Sequence, residues 1–208
     1  MPSSLSTLYY IHDPMCSWCW AYRPTLLRLR ENLPGAIRWQ NVLGGLAPDS
    51  DQPMPDETQN MVQGHWRNIQ STVGTEFNFD FWKKCQPRRD TYKACRAVVA
   101  ASWQGAEEAM IEAIQRAYYL RAMNPSEPET LGDLAEELGL DRDQFMQDLV
   151  SKSLEMKFQD QLLLRRQLNV RSFPSLVLTW GSRSMRITHN YQDFRVTLAE
   201  IVEFSGLE

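Results

Sequence analysis

The spacing of apolar and polar residues changes character twice along the chain. Leu5 to Ile11, with the apolar run Leu8 to Ile11, predicts a first strand that is central because both its faces look apolar. His12-Asp13-Pro14-Met15 breaks the run, and Pro14 helps to end the strand. From about Ser17 to Asn32 the spacing becomes helical, with Leu26, Leu27, Leu29 and Leu33 on the expected buried side. Pro24 falls inside this helix and is expected to kink it, because it lacks an N–H and crowds the preceding turn. Pro34-Gly35 stops the helix. Ile37 and Trp39 then alternate with Arg38 and Gln40, predicting a second strand to Leu43 with one wet face, closed by Gly44-Gly45. Strand, helix and strand at this spacing imply a right-handed βαβ unit with parallel strands.

From Leu46 to Asn169 the pattern is helices and loops, with no convincing strand. Pro48 to Pro55 reads as a polar linker. Val62, Trp66, Ile69 and Val73 keep helical spacing, as do Tyr92, Cys95, Val99 and Trp103. Ala106 to Met123 predicts a further helix, and Leu131 to Leu138 a short one stopped by Gly139. Asp141 is a candidate cap for a helix burying Phe145, Leu149 and Val150; Leu154, Phe158 and Leu162 begin the last of the block. At Val170 the strand pattern resumes. Ser175 to Thr179 is a short apolar strand, Gly181-Ser182 a turn, and Met185 and Ile187 mark a partner strand. Phe194, Leu198, Ile201 and Val202 predict a closing amphipathic helix. Residues 1–46 and 170–208 therefore read as one α/β frame, interrupted by a helical insertion domain over 47–169.

Composition narrows the function classes. The chain has 208 residues, 43% hydrophobic, with seven Trp, enough for a substantial core. The formal net charge is −4 and no basic stripe appears, so nucleic acid is not an expected partner. No stretch approaches the roughly 18 apolar residues of a membrane span. The N-terminus shows no positive n-region and its apolar run is too short for a signal peptide, so a cytoplasmic location is expected. Four cysteines do not make a disulfide framework, and in a reducing compartment a C-x-x-C pair is more often catalytic or metal-binding.

Cys16-Ser17-Trp18-Cys19 occupies the junction between the first strand and the first helix. A thiol there faces unpaired backbone N–H groups and the positive end of the helix dipole, which favour the thiolate that attacks disulfides. Cys19, one turn further in, is close enough to form or resolve a disulfide with Cys16. Half of a zinc site has the same spacing, but its place at a strand-to-helix turn favours redox chemistry. Trp18 lies between the two cysteines, where the loop must be open to substrate. His12 has two readings, as a donor to the thiolate or proton carrier for Cys19, or as a strand end bonded to backbone. Asp13 is a candidate proton acceptor near Cys19, although a turn role before proline is favoured.

The order strand, CxxC helix, strand, helical insertion, proline-led strand, hairpin and helix resembles the thioredoxin-like fold with the helical insertion of the DsbA family. Asp13-Pro14-Met15-Cys16-Ser17-Trp18-Cys19-Trp20, together with Gly44-Gly45-Leu46, is similar to the FrnE-like branch of that family. The resemblance covers nearly the whole chain and is vague only in the insertion. It implies an α/β thioredoxin-like fold and a thiol–disulfide oxidoreductase or isomerase. In it, Cys16 is the nucleophile and Cys19 the resolving thiol, Pro24 is the helix-kink proline, and Pro174 is a cis-proline facing the dithiol. Phe173 and Pro174 would then pair with an extended substrate. The implied partners are protein or peptide thiols and disulfides, and glutathione as reductant or substrate. No metal and no organic cofactor is expected. Two departures stand out. Ser17-Trp18 replaces the Pro-His of strongly oxidising members, which predicts a less oxidising dithiol. Phe173 is bulky where smaller residues are common, which predicts a narrower or more apolar groove.

The alternative activity is a glutathione-dependent transferase or isomerase of the kappa and hydroxychromene carboxylate isomerase type, which shares the layout but typically uses serine where this chain has Cys16. A zinc-binding or interaction module is a third reading. Cys95 is expected to be a buried small apolar residue and Cys85 to be partly exposed, with a Cys85–Cys95 disulfide or a four-cysteine zinc site as the less favoured readings. Trp18, Trp20, Trp66 and Trp82 are candidates to wall a groove over Cys16. His65, beside Trp66, is a candidate to line the site, with a surface or packing role favoured, and His189 is read as structural.

Overall fold

The computed structural model describes residues 6–205. Leu5, the expected start of the first strand, lies outside the described residues, as do the remaining ends of the ranges 1–46 and 170–208. The sheet is built from β1 (Ser6–His12), β2 (Ile37–Leu43), β3 (Ser175–Trp180) and β4 (Arg183–Ile187). Its order is β2-β1-β3-β4, so β1 is central. β1 and β2 are parallel, while β3 runs antiparallel to both β1 and β4. Helix α1 (Ser17–Glu31) links β1 to β2, and α9 (Phe194–Ser205) follows β4. Between β2 and β3 stand α2 (Asp56–Val73), α3 (Phe81–Lys84), α4 (Tyr92–Trp103), α5 (Glu107–Tyr119), α6 (Pro128–Glu137), α7 (Arg142–Leu149) and α8 (Lys152–Gln167).

Alternation along the strands assigns the two faces of the sheet. Leu8, Tyr10, Leu176 and Leu178 share a face and pack with Tyr22, Leu26 and Leu29 of α1 and Ile201 of α9. Ile11, Val42 and Val177 occupy the other face, against Leu164 at the end of α8. The largest cluster is formed by α2 to α8 around Trp66, Tyr119, Phe145 and Phe158, and it also takes in Met15 and Leu43. The loop bearing the dithiol is therefore packed into the helical core as well as carried by the sheet.

Local sequence explains the element ends. Asp141 and Ser151 accept the N–H groups of Gln144 and Leu154, capping α7 and α8. Gly74 ends α2 at φ +83°, a conformation that glycine adopts without a Cβ penalty. Five expectations need correction. The helix predicted to reach Met123 stops at Tyr119, because Asn78 takes the carbonyls of Tyr119 and Leu120 and Ala122 turns to φ +53°. Val150 follows the end of α7 and is 84% exposed. Leu27 is exposed too, since one residue's rotation from buried Leu26 turns it away from the buried stripe, and Trp103, on the stripe of Cys95 and Val99, is exposed as the last residue of α4. Leu33 is only half-buried. Among the described residues no helix is long and apolar enough to cross a membrane.

Candidate active site

Cys16 is the N-cap of α1, with extended backbone angles, and its N–H donates to the Asp13 carbonyl at 3.0 Å. The first turn of the helix carries no acidic side chain. The Cys16 sulfur lies 3.6 Å from the carbonyl oxygen of Phe173, and the Phe173–Pro174 peptide is cis. Residues 16 and 173 are brought together because β1 and β3 are neighbours, with Ile11 opposite Ser175. Cys16 is 7% exposed and Cys19 is fully buried. Burial, helped by the adjacent Cys16 sulfur, pushes the Cys19 thiol well above the usual range, while the Asp13 backbone opposes this. All four cysteines are free thiols.

Asp13 is a buried four-way junction. Its Oδ1 accepts the Met15 N–H at 2.8 Å. Its Oδ2 accepts the Leu46 N–H at 2.6 Å, the Thr91 hydroxyl at 2.6 Å and the Cys95 thiol at 3.6 Å. One carboxylate thus ties the dithiol loop to the Gly44-Gly45-Leu46 loop and to the start of α4. Burial raises the pKa of Asp13, and these four hydrogen bonds counter the rise. Both the turn role and the proximity to Cys19 expected from sequence are present in the same side chain.

His12 is stacked on Tyr10 with ring centroids 4.8 Å apart and planes within 2°. It is fully buried, and neither ring nitrogen has a hydrogen-bond partner. Burial lowers its pKa to about 4, so the ring is neutral at physiological pH. Its side chain bonds to neither the thiols nor the backbone. The phenol of Tyr10, also buried, is held well above its usual pKa by burial and by the two sulfurs near it.

Trp18 is half-buried and packs edge-on against Tyr191 at 5.2 Å. Of the four tryptophans proposed as a groove wall, Trp18 and Trp66 line the cleft in front of Cys16, with Met15, Met54, Val62 and Phe173. Trp20 and Trp82 do not line it. Trp20 donates its indole N–H to the Glu76 carbonyl, and Trp82 packs against Trp66 from behind. His65 is exposed and lies on this cleft. So do Arg88, Arg89, Thr91 and Arg171, which sequence reasoning missed. The adjacent pair Arg88-Arg89 is the one signal that could have drawn notice. The cleft measures about 310 Å³. Cys95 is buried, whereas Cys85 is partly exposed and donates to the Ala122 carbonyl at 3.1 Å. His189 packs against Tyr22 and Tyr191. No group of three or more His, Cys, Asp or Glu among the described residues is arranged to hold a metal ion.

Gly44 has a positional meaning that follows from this geometry. A Cβ placed there would stand 2.2 Å from the Phe173 ring. Gly44→Ala is expected to push that ring out of place beside Pro174, slow exchange, and cost about 1–3 kcal/mol of stability through overpacking. Denaturant unfolding alongside an exchange assay checks this; unchanged values for both would show that the ring moves freely.

The family model described as Thioredoxin matches residues 9–190. A candidate protein disulfide isomerase from Nitrosomonas europaea is similar in structure, with a TM-score of 0.82 and 27% identity over 96% of this chain and 97% of that one. The cytosolic disulfide reductase DsbM from Pseudomonas aeruginosa gives a TM-score of 0.76 and 26% identity, covering 95% of this chain and 99% of that one. DsbM has also been solved with glutathione. Among curated proteins, the ClpXP adapter protein SpxH of Halalkalibacterium halodurans is 24% identical over 185 residues, which is 82% of this chain and 57% of that protein. The chain thus spans under two thirds of the length of that relative.

Proposed function

Since the chain belongs to the thioredoxin family, in the DsbA-like form with helices inserted between β2 and β3, we propose that it is a thiol–disulfide oxidoreductase working through Cys16 and Cys19. The observation that carries this reading is the Cys16 sulfur at the start of α1, 3.6 Å from the Phe173 carbonyl, with Cys19 buried one turn behind it. The Cys16 thiolate attacks one sulfur of a substrate disulfide. That S–S bond breaks, one thiolate leaves, and a mixed disulfide forms on Cys16. Cys19 then loses its proton and attacks the Cys16 sulfur, closing the Cys16–Cys19 disulfide and releasing the second thiolate. The reverse sequence donates a disulfide.

Each neighbouring group has a task in this scheme. Because burial holds Cys19 in its thiol form, its proton needs an acceptor. Asp13 is suited to accept it, as a buried carboxylate whose own proton affinity is raised. The peptide at Phe173–Pro174 aligns an extended substrate by short β-addition, and Trp18 covers its side chains. The chemistry needs no metal or organic cofactor. Protein or peptide disulfides and glutathione are the substrates or reductants proposed, in a cytoplasmic setting that favours reduction or isomerisation.

The transferase alternative has less support. Residue 16 is a cysteine, and two structures similar at 26–27% identity are a disulfide reductase and a candidate disulfide isomerase. Titration of the dithiol against glutathione buffers tests the proposal. A reversible two-electron transition assigned by mass to Cys16 and Cys19 is expected, and its absence would refute the reading.

A further inference from the structure

The cleft facing Cys16 differs in charge from the chain as a whole. It is lined by Arg88, Arg89, Arg171 and His65 and, among the described residues, by no Asp or Glu. Yet the chain carries 26 acidic against 22 basic residues. Arg88 is neutralised by Glu127 at 3.0 Å. Arg89 and Arg171 make no ion pair or side-chain hydrogen bond among the described residues. With acidic residues in excess, two unpaired guanidinium groups beside one nucleophilic sulfur are a specific arrangement. A planar guanidinium is well matched to a carboxylate, which it can grip with two parallel hydrogen bonds.

These groups are presented on anchored backbone. The stretch before Arg88 is held where the Met54 N–H donates to the Pro87 carbonyl at 2.8 Å. The stretch after Arg89 is held where Ser126 donates to the Asp90 carbonyl at 2.8 Å and Thr91 to the Asp13 carboxylate at 2.6 Å. Asp13 also sets the dithiol loop, so Arg89 and Cys16 are positioned through one shared side chain. Arg171 lies two residues before Phe173, on the segment that meets the Cys16 sulfur. Between them the wall is apolar, with Met15, Met54, Val62 and Trp66. A volume of about 310 Å³ is small-molecule in scale, at the lower end for such sites.

Resting on the disulfide-exchange reading above, we infer that this cleft selects a low-molecular-weight disulfide whose arms end in carboxylates, gripped by Arg89 and Arg171 while Cys16 attacks. The electron balance is that of the exchange itself. Cys16 and Cys19 are oxidised to their disulfide, the substrate S–S bond is reduced, and two carboxylate-bearing thiols leave.

The test uses the fully reduced protein with glutathione disulfide and with its tetraethyl ester, which keeps the amines and masks the carboxylates. Second-order rates of Cys16–Cys19 disulfide formation are followed by stopped flow. Each is divided by the rate of the same disulfide with free dithiothreitol, which removes differences in leaving-group chemistry. The carboxylate form is expected to be favoured roughly tenfold. That ratio should shrink at high salt, as screening weakens the pairing, and should approach one in the Arg89→Gln, Arg171→Gln double variant. Any change in the intrinsic reactivity of Cys16 cancels from the ratio, so a general structural perturbation does not imitate the effect. A wild-type ratio of one or less, or a ratio unmoved by the double variant, overturns this inference while leaving disulfide exchange standing. No reaction with either disulfide overturns the exchange reading and the inference with it.

Discussion

Replacing Cys16 with Ser is expected to reduce disulfide exchange to background, a loss on the order of 10³-fold or more, as when the nucleophile of a catalytic unit is removed. A hydroxyl in the same place is not ionised near neutral pH and has no affinity for sulfur electrophiles. No other thiol stands ready to replace it. Cys19 and Cys95 are fully buried, and burial and hydrogen bonding to Asp13 hold Cys95 in its thiol form. Cys85 is tied to the Ala122 carbonyl, and burial pushes its thiol up as well. Cys19→Ser should behave differently. Cys16 still attacks, but nothing resolves the product, so the mixed disulfide accumulates and is visible by mass. Cys85→Ser should leave exchange unchanged. Exchange persisting in Cys16→Ser would sink the assignment of roles, as would failure of Cys19→Ser to accumulate the adduct.

Acid should destabilise the fold through His12, by about 3 kcal/mol at the limit. The ring is buried and without a hydrogen-bond partner, and its pKa falls from 6.5 to about 4. Burial is the main cause. The positive charge of Arg23 adds to it, and Glu108 works against it. The sign follows from linkage. Between these two pH values the unfolded chain takes up a proton that the folded chain refuses. The contribution of His12 is therefore complete above about 6.5, declines as the pH falls, and is lost on passing below about 4. A shift of this size corresponds to about 3 kcal/mol at 1.36 kcal/mol per unit. Asp13 acts in the opposite sense, because its folded pKa is raised and its protonation on acidification favours the fold. Urea unfolding of wild type and His12→Leu, at neutral pH and again near pH 4, separates the effect from any repacking cost. The variant should lose less stability on acidification, by about 3 kcal/mol. Parallel losses in the two proteins would show that His12 gains a proton while folded.

Much of the site is readable along the chain because its parts are contiguous. Asp13, Cys16, Trp18 and Cys19 lie within seven residues of one another, where an apolar run gives way to helical spacing. Gly44-Gly45 could be located, but the reason for Gly44 could not. That reason is the Phe173 ring, which arrives only through the pairing of β1 with β3. His12 was open between two roles, and the structure gives it neither bond. It faces the same side of β1 as Tyr10 and stacks there instead. Trp20 and Trp82, grouped by residue type with Trp18 and Trp66, are directed elsewhere by helix rotation. The arginines of the cleft come from two loops with no periodic pattern, so nothing in their spacing marks them.

Sequence by itself determined the order of elements, the interruption of the α/β frame by helices, and the dithiol at a helix start. Each is a local property, set by side-chain period and turn chemistry over a few residues. Tertiary structure alone decided what surrounds the dithiol: the Phe173 carbonyl on Cys16, Thr91 and Leu46 on Asp13, and the guanidinium groups along the cleft. Those contacts join residues from 33 to 157 positions apart. Strand order and helix packing bring them together, and no local pattern encodes which distant polar group will meet a given side chain.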